Sequence, residues 1–134
     1  SGGLPPDIEV SRLNILIAND NLLDGNIPDF SESLLVTLYL YNNYFSGTIP
    51  DFSQAHMQNL DLSHNRLIGT LPVSLSNLYQ LNTLTLSSNK LTGTILPQLS
   101  MASNLQYLYL ADNRFDTHCC YLSQIMVLSD SLVL

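Results

Sequence analysis

The sequence predicts a mostly β solenoid of the α/β type, a right-handed superhelix with short parallel strands on its concave face and loops or short 3-10 or α turns on its convex face. One spelling recurs five times: LNILIANDNLLDGNIP from Leu13, LVTLYLYNNYFSGTIP from Leu35, MQNLDLSHNRLIGTLP from Met57, LNTLTLSSNKLTGTIL from Leu81 and LQYLYLADNRFDTHCC from Leu105. The shared Asn recurs at a sequence separation of 22, which lengthens to 24 after Asn65. Within each copy the leucines alternate with other residues at period two, as in LVTLYLYNN about Leu38 and Leu40, which marks a short strand with one buried face. A unit this small buries its apolar face only against the next unit, so the period implies stacked coils.

The chain reads as a single domain over residues 1–134: a partial coil at 1–12, five coils at 13–120 and an irregular tail at 121–134. In the opening SGGLPPDI, residues Gly2, Leu4 and Pro5 stand where an earlier coil would close. Each coil then enters a strand and bends at its Asn: Asn21, Asn43, Asn65, Asn89 and Asn113. The bend turns backbone groups into the core, and an inward carboxamide both donates to and accepts from them; unpaired, each group would cost about 1–3 kcal/mol. After the Asn come Gly25, Gly47, Gly69 and Gly93, suited to tight or positive-φ backbone, and then Pro28, Pro50 and Pro72, which fix φ and lack an N–H. Phe45, Ile49 and Phe52 are the anchors between these turn residues. On the convex side DFSESL and DFSQAHM allow only a turn or an extended run, whereas VSLSNLYQL and QLSMASNL are longer. Their helical spacing at Leu75, Leu78 and Leu81, or at Leu99 and Met101, suits a short 3-10 or α turn. The apolar tail YLSQIMVLSDSLVL is expected to fold over the open end as a cap, since solenoid ends need covering.

The pattern L-x-x-L-x-L-x-x-N-x-L-x-G-x-I-P resembles the plant-type leucine-rich repeat over residues 13–120. In the last coil Thr117 stands for Gly and Cys119-Cys120 for Ile-Pro. Family members carry cysteine-paired caps, and neither is legible here. The resemblance implies receptor-like kinase or receptor-like protein ectodomains, or secreted inhibitors of cell-wall-degrading enzymes such as polygalacturonase-inhibiting proteins. It therefore implies an extracellular or cell-surface setting, although no Asn begins an N-x-S/T sequon and no signal peptide is visible.

Composition excludes several function classes. A formal charge of -7 with only four basic residues argues against nucleic acid and anionic membranes, and no apolar run reaches transmembrane length. Neighbouring cysteines rarely pair with each other because the bridge strains the intervening peptide, and Cys119-Cys120 beside His118 lacks a metal-ligand spacing. No cofactor or metal is expected. His56, His64 and His118 fall on different registers of the coil, and no Ser or Cys sits in a nucleophile turn, so no enzyme activity is expected.

Function then belongs to outward strand positions, because inward ones are committed to packing. The outward columns are Ile15, Thr37, Asn59, Thr83 and Tyr107; Ile17, Tyr39, Asp61, Thr85 and Tyr109; and Asn19, Tyr41, Ser63, Ser87 and Ala111. The candidate binding residues are Ile17, Thr37, Tyr39, Tyr41, Asn59, Asp61, Thr83, Thr85, Tyr107 and Tyr109, for a protein, peptide or glycan ligand: tyrosine supplies rigid contact area with a polar tip. The plainer reading is strand propensity. Arg66, Lys90 and Arg114 form a basic edge, either attracting an acidic partner or keeping the turn solvated. Thr48, Thr70 and Thr94 form a threonine column of the kind that orders water, though threonine is also the family's common filler there. The alternative to recognition is a structural segment of a longer array that contacts only neighbouring repeats.

Overall fold

Six three-residue parallel strands form the concave sheet: β1 (Ile15–Ile17), β3 (Thr37–Tyr39), β5 (Asn59–Asp61), β7 (Thr83–Thr85), β9 (Tyr107–Tyr109) and β11 (Ser131–Val133). The computed structural model describes residues 2–5, 8, 12–52, 56–95, 99, 102–116 and 131–133. Equivalent residues pair rung by rung, with Leu16, Leu38, Leu60, Leu84 and Leu108 in one column. Leu38, Leu60, Leu84 and Leu108 are fully buried while their strand neighbours are not, which is the alternation a one-sided sheet demands.

A second set of short parallel strands follows each bend. They are β2 (Asp24–Asn26) with β4 (Tyr44–Ser46), and β6 (Ile68–Gly69), β8 (Lys90–Gly93) and β10 (Arg114–Phe115) in order. Gly2 bridges in parallel to Leu23, and the Asp24 N–H donates to the Gly2 carbonyl, so Gly2 lies against the first coil.

Between the two strand sets lies one continuous core of leucines, with Phe30, Phe45, Phe52 and Met57 fully buried. Coil length decides how its convex side is filled. In the first two coils, which are the shorter kind, Phe30 and Phe52 stack with ring centroids 6.2 Å apart and planes 8° from parallel. In the first of the longer coils a 3-10 turn over Val73–Asn77 takes the place of the aromatic and buries Leu75, with Leu78 buried directly after it. The corresponding turn about Leu99 and Met101 lies largely outside the described residues.

The tail departs from expectation. Ser131–Val133 pairs in parallel with Tyr107–Tyr109 and sets Leu132 opposite Leu108, so its last residues continue the sheet. Leu132 follows Leu108 by the same step that separates Leu108 from Leu84, which explains why a strand falls there. Cys119, Cys120 and His118 lie outside the described residues.

Candidate ligand-binding face

The ladder asparagines set the geometry of this face. The Asn65 carboxamide nitrogen donates to the Leu40 carbonyl of the previous coil at 3.0 Å and to Leu62 and Ser63 of its own at 3.1 Å, while its oxygen accepts from the Phe45 N–H at 3.0 Å. Asn43, Asn89 and Asn113 repeat the arrangement one coil away in each case. Asn21 is exposed and bonds to Ala18 and Asn19 within its own coil. Each strand is thus anchored at its exit, and the outward side chains stand on a fixed grid.

Both columns beside the inner leucines form as aligned rungs: Ile15, Thr37, Asn59, Thr83, Tyr107, and Ile17, Tyr39, Asp61, Thr85, Tyr109. Ile15 and Ile17 are 59% and 61% exposed. Tyr39 and Tyr41 lie beside them, their rings 6.3 Å apart and tilted by 55°. Tyr107 is exposed; Thr37, Tyr39, Tyr41, Asn59, Asp61, Thr83, Thr85 and Tyr109 are partly so.

Two members of this surface differ from the sequence expectation. Ser63 is buried instead of outward, and its N–H and hydroxyl donate to the Asp61 carboxylate at 2.9 and 2.6 Å. Asp61 is therefore partly engaged by Ser63, beyond the role of a surface acid. A further column escaped notice: Asp20, Asn42, His64, Ser88 and Asp112, each just before a ladder Asn, all hold φ between 52° and 56°. Left-handed backbone favours Asn and Asp, with His also enriched there. Polar bonds run along this lip, Asn42 donating to Asp20 at 2.7 Å and Ser88 to Asp112 at 3.3 Å. The bonds from Asn42 and Asn19 hold the Asp20 carboxyl below its ordinary value.

The basic residues do not stack upon one another. In the second strand set Lys90 is opposite Ile68 and Arg114 opposite Thr92, a two-residue offset that spaces the charges apart. Arg66 lies over the Tyr44 ring, 4.4 Å from its centroid, a cation–π contact that gives this cation a local partner. Thr48, Thr70 and Thr94 are exposed, but the Thr48 and Thr70 methyls sit where a β-carbon on Gly69 or Gly93 would come within 3.0 and 2.8 Å. Those two methyls lie against the next coil's glycine. His56 and His64 are exposed and on different registers of the coil. Among the described residues no group of three His, Cys, Asp or Glu side chains could hold a metal, and no helix is long and apolar enough to cross a membrane.

With stacked parallel coils, an inward leucine column and an asparagine ladder, the fold is that of a repeat protein. Two leucine-rich repeat profiles match residues 34–55 and 55–115, together more than half the chain. The chain belongs to the leucine-rich repeat family, in its plant-type form. It is similar to PEPR1 in the crystal structure of PEPR1–AtPEP1, at 33% identity and a TM-score of 0.79 over 85% of this chain and 17% of that one. It is also similar to the ectodomain of the Arabidopsis receptor kinase HAESA in complex with an extended IDA peptide hormone, at 29% identity and a TM-score of 0.81 over 85% of this chain and 20% of that one. A plant ice-binding protein matches at 30% identity and a TM-score of 0.74, over 86% of this chain and 39% of that one. The chain thus spans a fifth or less of the length of the two receptor chains. No curated protein sequence matches it.

Proposed function

We propose that the protein is a non-catalytic recognition module that binds a protein or peptide segment across the concave strand face, in an extracellular or cell-surface setting. The observation that carries this reading is the surface at the start of the sheet. Ile15 and Ile17 present about three-fifths of their area to solvent beside the tilted Tyr39–Tyr41 pair. Aromatic and aliphatic side chains held on a rigid sheet lose little entropy on binding, and interface cores are enriched in tyrosine and poor in charge. The similarity to HAESA, whose ectodomain is seen with a peptide hormone, supports a peptide or protein as the ligand class. Arg66, Lys90 and Arg114 border the face and would steer an acidic partner to it, most strongly at low salt.

Selection from a displayed library of random peptides tests this whatever the natural ligand is. Peptides enriched on the native protein should lose binding at least about tenfold to Tyr39→Ala combined with Tyr109→Ala, the thermal melt of the variant being unchanged. No enrichment above background would favour a structural segment of a longer array, and enriched peptides indifferent to both tyrosines would place recognition elsewhere.

A further inference from the structure

Beside the entries of β5, β7 and β9 lies a groove of about 400 Å³ lined by Gln58, Asn59, Gln80, Asn82, Asn104 and Gln106. Every lining residue is a carboxamide, and none is charged. Main-chain bonds hold the strand entries, and of the lining side chains Asn104 donates to the Tyr79 carbonyl at 2.9 Å while Asn82 accepts from the Thr83 hydroxyl at 3.1 Å. The Gln58 carbonyl accepts from the N–H groups of Asn82 and Thr83 at 2.8 and 3.0 Å, and the Asn82 carbonyl from those of Gln106 and Tyr107 at 2.9 and 3.1 Å. The Gln58 and Gln80 amides make no hydrogen bond with other described residues, and Asn59 makes a long one of 3.4 Å to the Thr37 hydroxyl. What results is a rigid platform with carboxamide donors and acceptors repeated once per coil.

We propose that this groove binds a neutral oligosaccharide laid across the strands, along the axis of the solenoid. A carboxamide offers two N–H donors and an acceptor oxygen, which matches neighbouring hydroxyls that each donate and accept. Strands in a sheet lie about 4.8 Å apart, close to the advance of one unit in an extended pyranose chain, so successive sugars meet successive amides. Phosphate and uronate groups find no cation in the lining. The site stands whether or not the Tyr39 surface binds a protein.

The test is an NMR titration of the whole chain that follows the Asn and Gln side-chain signals, with cellohexaose, mannohexaose and xylohexaose as neutral probes, hexagalacturonate as the acidic one and an uncharged hexapeptide. At least one neutral sugar should shift the Gln58, Asn82 and Gln106 amides to saturation, with a dissociation constant on the order of 0.1–1 mM. Asn82→Ala with Gln106→Ala should weaken it at least about tenfold, while Tyr39→Ala leaves it unchanged. Silence from all three neutral sugars overturns the proposal, as does an equal response to hexagalacturonate. Tighter binding of the hexapeptide at the same amides also overturns it and makes the groove a peptide site. Sugar binding that persists when the library selection fails would remove the protein-recognition reading alone.

Discussion

Asn65 joins two coils through one side chain, and its loss would leave the Phe45 N–H without an acceptor in the core. The Leu40, Leu62 and Ser63 carbonyls would each lose one of two donors, keeping those from Asn43, Asn89 and the Asn42 N–H. Asn65→Ala is therefore expected to destabilise by about 1–3 kcal/mol. Asn82→Ala should stay within about 0.5 kcal/mol, because among the described residues that amide bonds only to Thr83 and, at 3.5 Å, to Asn104. Chemical denaturation of both variants decides it, and equal losses would show the register to be misread. The asparagine column was legible because one chemistry demands one residue type, so the letter repeats. The left-handed column beside it was not. Its requirement falls on a backbone angle that Asp20, Asn42, His64, Ser88 and Asp112 all meet, and no single letter recurs. Ser63 was misplaced for a related reason: period two ends at the bend, where Ser63 turns to the Asp61 carboxylate, and alternation alone does not mark that point.

At the scale of the element, the glycine column answers to two demands at once. Gly93 holds φ at +79°, and a β-carbon there would also approach the Thr70 methyl to 2.8 Å. Gly93→Ala should cost about 1–2 kcal/mol for the left-handed backbone alone, with a further increment from the displaced threonine. Only the second part should vanish in the Thr70→Ala background, so a double-mutant cycle measured by urea unfolding separates the two. A coupling energy indistinguishable from zero would mean that the threonine gives way freely. The sequence suggested the first demand, since glycine recurs where a turn is needed. The second was hidden, because Thr70 and Gly93 belong to successive coils and meet only when those coils stack. The amide groove was hidden in the same way: Gln58, Asn82 and Gln106 look like scattered polar residues until the rungs align them.

The whole molecule is a line of coils in which each rests on its neighbours, so stability should vary along it. Among the described residues the Asn21 side chain bonds only inside its coil, while that of Asn43 reaches back to Ala18 and Leu23 and that of Asn65 to Leu40 and Phe45. Amide hydrogen exchange should therefore be slowest at Leu60, Leu62 and Leu84 and faster at Leu16 and Ala18; uniform protection would mean that the stack opens only as a unit. This architecture was the most legible feature of the sequence, because five copies on a nearly constant period leave few other ways to bury so many leucines. The last strand was the exception. Leu132 falls one further step of that period beyond Leu108, but the intervening segment has Thr117 in place of the Gly and Cys119-Cys120 in place of Ile-Pro that mark the other coils.

The stacked Phe30 and Phe52 rings bear on how such a chain can be lengthened or rearranged by unequal crossing-over. A duplicated short unit inserted between those two coils would bring its own phenylalanine and extend the column of rings. The same unit spliced in beyond Leu75 would put a ring among the longer coils, whose buried convex residues include Leu75, Leu78 and Leu99. Viable recombinants should thus keep their breakpoints within one length class, and the lengthening of the coil after Phe52 is a seam across which modules are not interchangeable.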